Sequence, residues 1–210
     1  MMLEAASVHA LLRISGPQAL SWENAGLETM APGWTSDALR RQPFVVVRRN
    51  SQRPGWLPVG IRGGLRSQRA AAWLPVNEVR TCVTPPMLAA RRGWRNSDCM
   101  QSPAIAVLDE VEAIVTTHGF AGAWGPGGSV GAELASGVVC THAGSDLDLL
   151  LYADTVLDKT AARALHAQLG QLSVRVDTLL ELPQGGVALA DLAGDADRVL
   201  LRTAHGPRLM

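Results

Sequence analysis

Two aspartates, Asp146 and Asp148, stand two apart in SDLDLLLYAD (Ser145–Asp154). Charged residues are poor strand formers and costly to bury. On a strand, however, residues two apart share a face, so both carboxylates would project together while Leu147 and Leu149 pack on the other side. At ~3.3 Å rise per residue, the pair lies roughly 6.5–7 Å apart along the strand. Two like charges in a half-buried site repel unless a cation lies between them. A divalent ion is the natural cation, and two hard ions roughly 3.5–4 Å apart suit such a pair. Asp177, in VRVDTLL, is the expected third carboxylate, with Val174 and Val176 alternating against Arg175 and Asp177. Glu181 shares the parity of Asp177 and is a weaker candidate.

Upstream lies a glycine turn, GPGGS, in WGPGGSVGAELASG. Gly127 and Gly128 permit close backbone approach and positive φ, and Ser129 offers a hydroxyl. If the residues after the turn are helical, their N-terminus presents free N–H groups to a phosphate. Bland roles stand beside these. Ser129 could simply cap a helix, Asp146 could be a turn residue, and Asp177 could pair with Arg175 or Lys159. His142 reads as a solvent-facing loop residue, Cys140 as a small filler, and Trp94 and Trp124 as packing residues.

Several elements must position these groups. Pro103 and the spacing of Val107, Leu108, Val111, Ile114 and Val115 predict a helix capped by Ser102 and ended by Gly119. SDLDLLLYAD predicts a strand, DKTAARALHAQLG a helix closed by Gly170, SVRVDTLLEL a second strand and RVLLRT a third. Alternating strands and helices imply an α/β or α+β layer on a short sheet. In the first half, LEAASVHALLRI has weak helical spacing and PFVVVRRN reads as a short buried strand. Arg62, Arg66 and Arg69 are three or four apart, so a helical LRSQRAAAW would put Arg66 and Arg69 on one face. The expected organisation is a smaller N-terminal α+β unit over 1–82, a linker over 83–102 and a catalytic unit over 103–210.

The chain has 210 residues with 19 basic and 19 acidic side chains, and so no formal net charge. That disfavours a general nucleic-acid or membrane-surface binder. Arginines concentrate before residue 96 and most carboxylates follow residue 107, which suggests an anionic substrate held between a basic and an acidic half. Cys82, Cys99 and Cys140 match no zinc spacing and fit reduced thiols in a cytoplasmic protein. The N-terminal MMLEAASVHALLRI carries Glu4 and lacks a basic region, unlike a signal peptide.

The combination GGS, DLD and VDT at 127–129, 146–148 and 176–178 resembles the nucleotidyltransferase superfamily that includes DNA polymerase β. WGPGGSVGAELASG, SDLDLLLYA, VDTLLELPQGGVALADL, LLRTAHGPRL and LPVGIRGGLRSQRAAAWLP together are similar to the malonate decarboxylase holo-acyl-carrier-protein synthases, the phosphoribosyl-dephospho-CoA transferases. The resemblance runs over nearly the whole chain. It implies a polymerase-β-like C-terminal fold with a short mixed sheet. It implies two magnesium ions, with manganese as a possible substitute, held by Asp146, Asp148 and Asp177. Gly127, Gly128 and Ser129 would hold the diphosphate, and Arg62, Arg66 and Arg69 would neutralise phosphates. The implied reaction moves the prosthetic group of triphosphoribosyl-dephospho-CoA to a serine of the apo acyl-carrier subunit, releasing diphosphate. Without the resemblance, two alternatives stay open: another nucleotidyltransferase using a nucleoside triphosphate, or an inactive carrier- or nucleotide-binding module.

Overall fold

The computed structural model describes residues 7–24, 27–51, 53–65, 67–96 and 102–210. The chain divides into two compact units, Met1–Thr84 and Pro85–Met210.

The first unit is built on β1 (Leu11–Ile14), the short pair β2 (Glu23–Asn24) and β3 (Leu27–Glu28), helix α1 (Thr35–Arg41), and strands β4 (Phe44–Val47), β5 (Trp56–Arg62), β6 (Arg69–Pro75) and β7 (Val79–Val83). Five of these strands form a sheet in the order β6-β5-β4-β1-β7, with every neighbouring pair antiparallel. Its buried face carries Leu12, Ile14, Val45, Val47, Val59, Ile61, Ala72 and Leu74, packed with Leu39 of α1. Of LEAASVHALLRI, residues 3–6 lie outside the described residues, and at Leu11–Ile14 the helical spacing gives way to a strand. Leu12 and Ile14 are buried and Arg13 between them is exposed, a period of two that tertiary pairing enforces over weak local propensity. The described part of LRSQRAAAW is likewise not helical. Arg62 ends β5, Arg69 starts β6, and the two are direct cross-strand partners. Alanine favours helices, but the pairing of RAAAWLP along all of WLPVGIR decides the outcome.

The second unit begins with α2 (Pro85–Arg91), followed by α3 (Pro103–Ala106), α4 (Leu108–Thr117), β8 (Trp124–Pro126), α5 (Gly128–Ser136), β9 (Leu147–Tyr152), α6 (Lys159–Leu169), β10 (Val176–Leu182), β11 (Gly185–Ala188), α7 (Leu189–Ala193), β12 (Leu200–Thr203) and β13 (Gly206–Leu209). Much of the segment read as a linker, 83–102, is therefore ordered structure of this unit, because α2 lies against β8. A Cβ on Gly125 of β8 would overlap the Pro85 carbonyl, so only glycine permits that approach. Ser102 precedes α3 without a side-chain capping bond; its hydroxyl instead donates to the His142 carbonyl at 3.5 Å.

The sheet order is β13-β12-β11-β10-β9-β8. Only β9 and β10 are parallel; the remaining neighbours run antiparallel. A parallel pair needs a crossover, and α6 supplies it. Asp158 caps α6, its carboxylate accepting from Ala161 N at 2.8 Å. The core beneath the sheet contains Leu147, Leu149, Leu151, Leu165, Leu169 and Leu180 with Ile105, Leu108, Val111 and Val115 of α3 and α4.

The packing role read for the tryptophans is the observed one. Trp94 and Trp124 are buried and their rings meet at 6.0 Å and 54°. Trp94 Nε1 donates to Asp109 of α4 at 2.8 Å. Trp94→Phe removes this donor and puts a smaller ring in the core, so it should cost about 2–3 kcal/mol. Urea unfolding of this unit should show a lower midpoint at unchanged slope; an unchanged midpoint would mean that neither the bond nor the indole packing contributes.

Candidate active site

Asp148 is the second residue of β9 and lies between two neighbours. On one side Asp177 of β10 is its direct cross-strand partner. On the other, the β8 ladder continues one step past Pro126, with Gly127 N donating to the Asp148 carbonyl at 2.8 Å. Gly127 and Gly128 therefore press against β9. A Cβ on Gly127 would come within 3.2 Å of Leu150, and one on Gly128 would overlap the Asp148 carboxylate. Gly128 has φ +54°, in the left-handed region that favours glycine.

Helix α5 starts at this point, with Gly127 at the N-cap and no side chain satisfying the cap. Its first N–H groups lack intrahelical acceptors, and the helix dipole is positive there. Ser129 sits in the first turn, half-buried, and does not cap the helix. The turn thus places backbone donors beside Asp148, an arrangement suited to an anion.

Asp146 lies just before β9 and is exposed. The loop that carries it is fixed from α5. Glu133 is 5 % exposed, and one of its oxygens, Oε2, accepts from Cys140 N at 2.8 Å, Thr141 N at 2.8 Å and Thr141 Oγ1 at 2.7 Å. Next along the chain, His142 N donates to Ser145 Oγ at 3.0 Å, and Gly144 N donates to His142 Nδ1 at 3.1 Å. The His142 ring is exposed, as expected of a loop histidine. One clip therefore joins the glycine-turn helix to the strand that bears the aspartates. The sequence offered no signal for it, because a Glu in a short helix ordinarily faces water.

Asp177 accepts from Arg175, whose Nε and Nη2 both lie 3.0 Å from Asp177 Oδ1. Both side chains are exposed, and the pair runs along the strand line, two residues apart. Arg175 also flanks Asp146, since its carbonyl accepts from Leu147 N at 2.9 Å. The pairing of Asp177 with Arg175, one of the two partners the sequence offers, is the observed one. Glu181 does not join the group. It is buried at the far end of β10, paired with Tyr152 rather than with Asp148. Burial, with a further contribution from Glu181, holds the Tyr152 phenol well above its ordinary pKa.

The backbone thus brings Asp148 and Asp177 side by side, with Asp146 two residues upstream. Among the described residues, no three His, Cys, Asp or Glu side chains converge closely enough to hold a metal ion; Asp177 is instead turned to Arg175. Hard carboxylate oxygens directly opposite one another are nevertheless the donors a magnesium-type ion requires. Arg62 and Arg69 lie in the first unit, and Arg66 falls outside the described residues.

The Glu133 clip yields a pH-dependent expectation. Burial alone would raise its pKa, but the bonds from Cys140 N, Thr141 Oγ1 and Thr141 N outweigh burial and hold it below the ordinary 4.5. A depressed carboxyl stabilises the fold above its unfolded-state pKa, and that contribution is lost as pH falls through the folded value. Glu133→Gln should cost about 2 kcal/mol at neutral pH, and the difference from the parent should shrink below pH 4.5. A difference that stays constant in denaturation series across this range would contradict the clip.

Residues 91–210 match the family described as phosphoribosyl-dephospho-CoA transferase MdcG C-terminal domain, and residues 7–85 match its N-terminal domain. A phosphoribosyl-dephospho-CoA transferase of Azotobacter vinelandii is 40% identical over 206 residues, covering 97% of this chain and 96% of that protein. One from Klebsiella pneumoniae strain 342 is 39% identical over 195 residues (92% and 93% coverage), and one from Pseudomonas putida 39% over 198 residues (92% of each). No solved structure matches. With both domains matched and the relatives aligned almost end to end, the chain belongs to the phosphoribosyl-dephospho-CoA transferase family and is a transferase enzyme.

Proposed function

We propose that this transferase moves the phosphoribosyl-dephospho-CoA group from triphosphoribosyl-dephospho-CoA to a serine of the apo acyl-carrier subunit of malonate decarboxylase. The observation that carries this reading is the placement of Asp148 between the Gly127-Gly128 turn and Asp177. An anion-binding turn and paired carboxylates on adjoining strands suit in-line transfer at a phosphorus that bears a diphosphate leaving group.

In this reading the serine oxygen bonds to the α-phosphorus, and the bond from that phosphorus to the β-phosphate bridging oxygen breaks. Diphosphate departs with the electron pair, and the serine proton passes to Asp177. The first N–H groups of α5 and the Ser129 hydroxyl hold the diphosphate oxygens. Gly128 keeps the turn tight against Asp148, so leaving group and attacking hydroxyl stay on one line. Asp146, Asp148 and Asp177 are the residues that would hold magnesium, two ions in this reading with manganese able to replace them. Bound there, the metal would supply positive charge at the α-phosphate and lower the pKa of the attacking hydroxyl. Arg175 must release Asp177 for that carboxylate to serve.

Incubation of the enzyme, magnesium, triphosphoribosyl-dephospho-CoA and apo-carrier should add the prosthetic group's mass to the carrier and release one diphosphate per transfer. An adenylylated carrier from ATP would instead favour another nucleotidyltransferase, and no reaction with either would defeat the proposal. Asp148→Asn should reduce transfer by about a thousandfold or more while leaving the unfolding midpoint nearly unchanged; retained turnover contradicts the assignment. Gly128→Ala should also lose transfer, since the new methyl displaces the Asp148 carboxylate. Arg175→Ala removes a competing cation from Asp177, so manganese should bind about two- to fivefold tighter, the range of an exposed ion pair. Electron paramagnetic resonance of free manganese measures this, and weaker binding would show that Arg175 supports the metal instead.

A further inference from the structure

The strands β1, β4, β5, β6 and β7 of the first unit contain no Asp or Glu. The sheet face opposite the core carries arginines at one end, and Trp56, Pro58, Trp73 and Pro75 at the other. Arg13 is opposite Phe44, and Arg62 is opposite Arg69. From the Val46–Gly60 pair, two more steps bring Phe44 level with Arg62, so Arg13, Phe44, Arg62 and Arg69 lie in one row. Residues directly opposite share a face. Arg48 joins them: its Cγ and Cδ lie 3.3 and 3.1 Å from where a Cβ on Gly60 would be. Its stem therefore crosses the small-residue row of Val46, Gly60 and Ala71. All four arginines are exposed, and none has an ion-pair partner among the described residues.

Like charges directly opposite on paired strands oppose folding, so the Arg62–Arg69 pair is not explained by stability. The row spans four strands, roughly 14 Å at ~4.8 Å per strand. A single triphosphate is compact and would call for guanidinium groups converging on one point, with backbone donors beside them. Here the charges are spread across four strands that carry no acidic residue, with Val46, Gly60 and Ala71 beside the row.

We propose that this face docks an acidic surface of the folded protein that accepts the transferred group. The proposal rests on the reading of the acceptor as a carrier protein. Charge complementarity selects the occupant: spread guanidinium groups pair with carboxylates and steer encounter without adding to the chemical step.

The test uses the full-length enzyme and the variant Arg13→Glu/Arg48→Glu, with Arg13→Gln/Arg48→Gln as a gentler pair. Direct titration of fluorescently labelled apo-carrier should show about tenfold weaker binding for the Glu variant. In the transfer assay the KM for carrier should rise similarly, while kcat and the KM for triphosphoribosyl-dephospho-CoA stay unchanged. Added salt should weaken carrier binding by the parent more than by the variant. Unchanged carrier binding would overturn the proposal. So would a raised KM for the nucleotide alone, which would assign the face to phosphate, or loss of single-stranded RNA binding with carrier binding intact. If the parent binds carrier but transfers nothing, the docking face stands and the proposed reaction falls.

Discussion

Two carboxylates placed directly opposite one another are the constraint on which the second unit turns. Asp148 and Asp177 are partners in the one parallel pair of the sheet, so the sheet's own register fixes their separation. Like charges so placed disfavour the sheet unless a cation intervenes. In this structure Arg175, just before β10, pairs with Asp177. In the proposed reaction Arg175 would release Asp177, and Asp148 and Asp177 would be among the residues that hold magnesium.

The surroundings follow from that pair. Antiparallel β8 brings the glycine turn to the side of Asp148 opposite β10, and only glycine at 128 lets the turn come so near the carboxylate. Gly125 similarly accommodates the Pro85 carbonyl. Glu133 then fastens the start of the Asp146 loop to the helix that the turn begins. The chain from Asp109 through Trp94 and Trp124 anchors β8 in the core. These contacts tie turn, helix and strand together, as the proposed phosphoryl transfer requires, because its chemistry relies on position and charge.

Much of this was legible in the sequence because the signals were local. The leucine run interrupted by Asp148, the Gly-Gly-Ser turn, the capped α6 and the strand around Asp177 each announce themselves within a few residues. Register was not local. That Asp177 meets Asp148, rather than a position one or two residues away, depends on the parallel pairing across α6. Glu133 gave no sign because its three donors come from a loop seven and eight residues away. The basic face of the first unit was obscured for another reason. Arg13 fell in a stretch with weak helical spacing, and Arg69 in an alanine-rich stretch whose propensity points to helix. Cross-strand pairing overrode both, and only the paired sheet aligns Arg13, Arg62 and Arg69.

Anomalous diffraction from crystals of the enzyme grown with manganese and a non-hydrolysable triphosphate ligand would test the central claim most directly. The account predicts manganese density between the Asp148 and Asp177 carboxylates, with the Arg175 guanidinium moved off Asp177 and the terminal phosphates against the first turn of α5. Density elsewhere, with Arg175 still bound to Asp177, would contradict it.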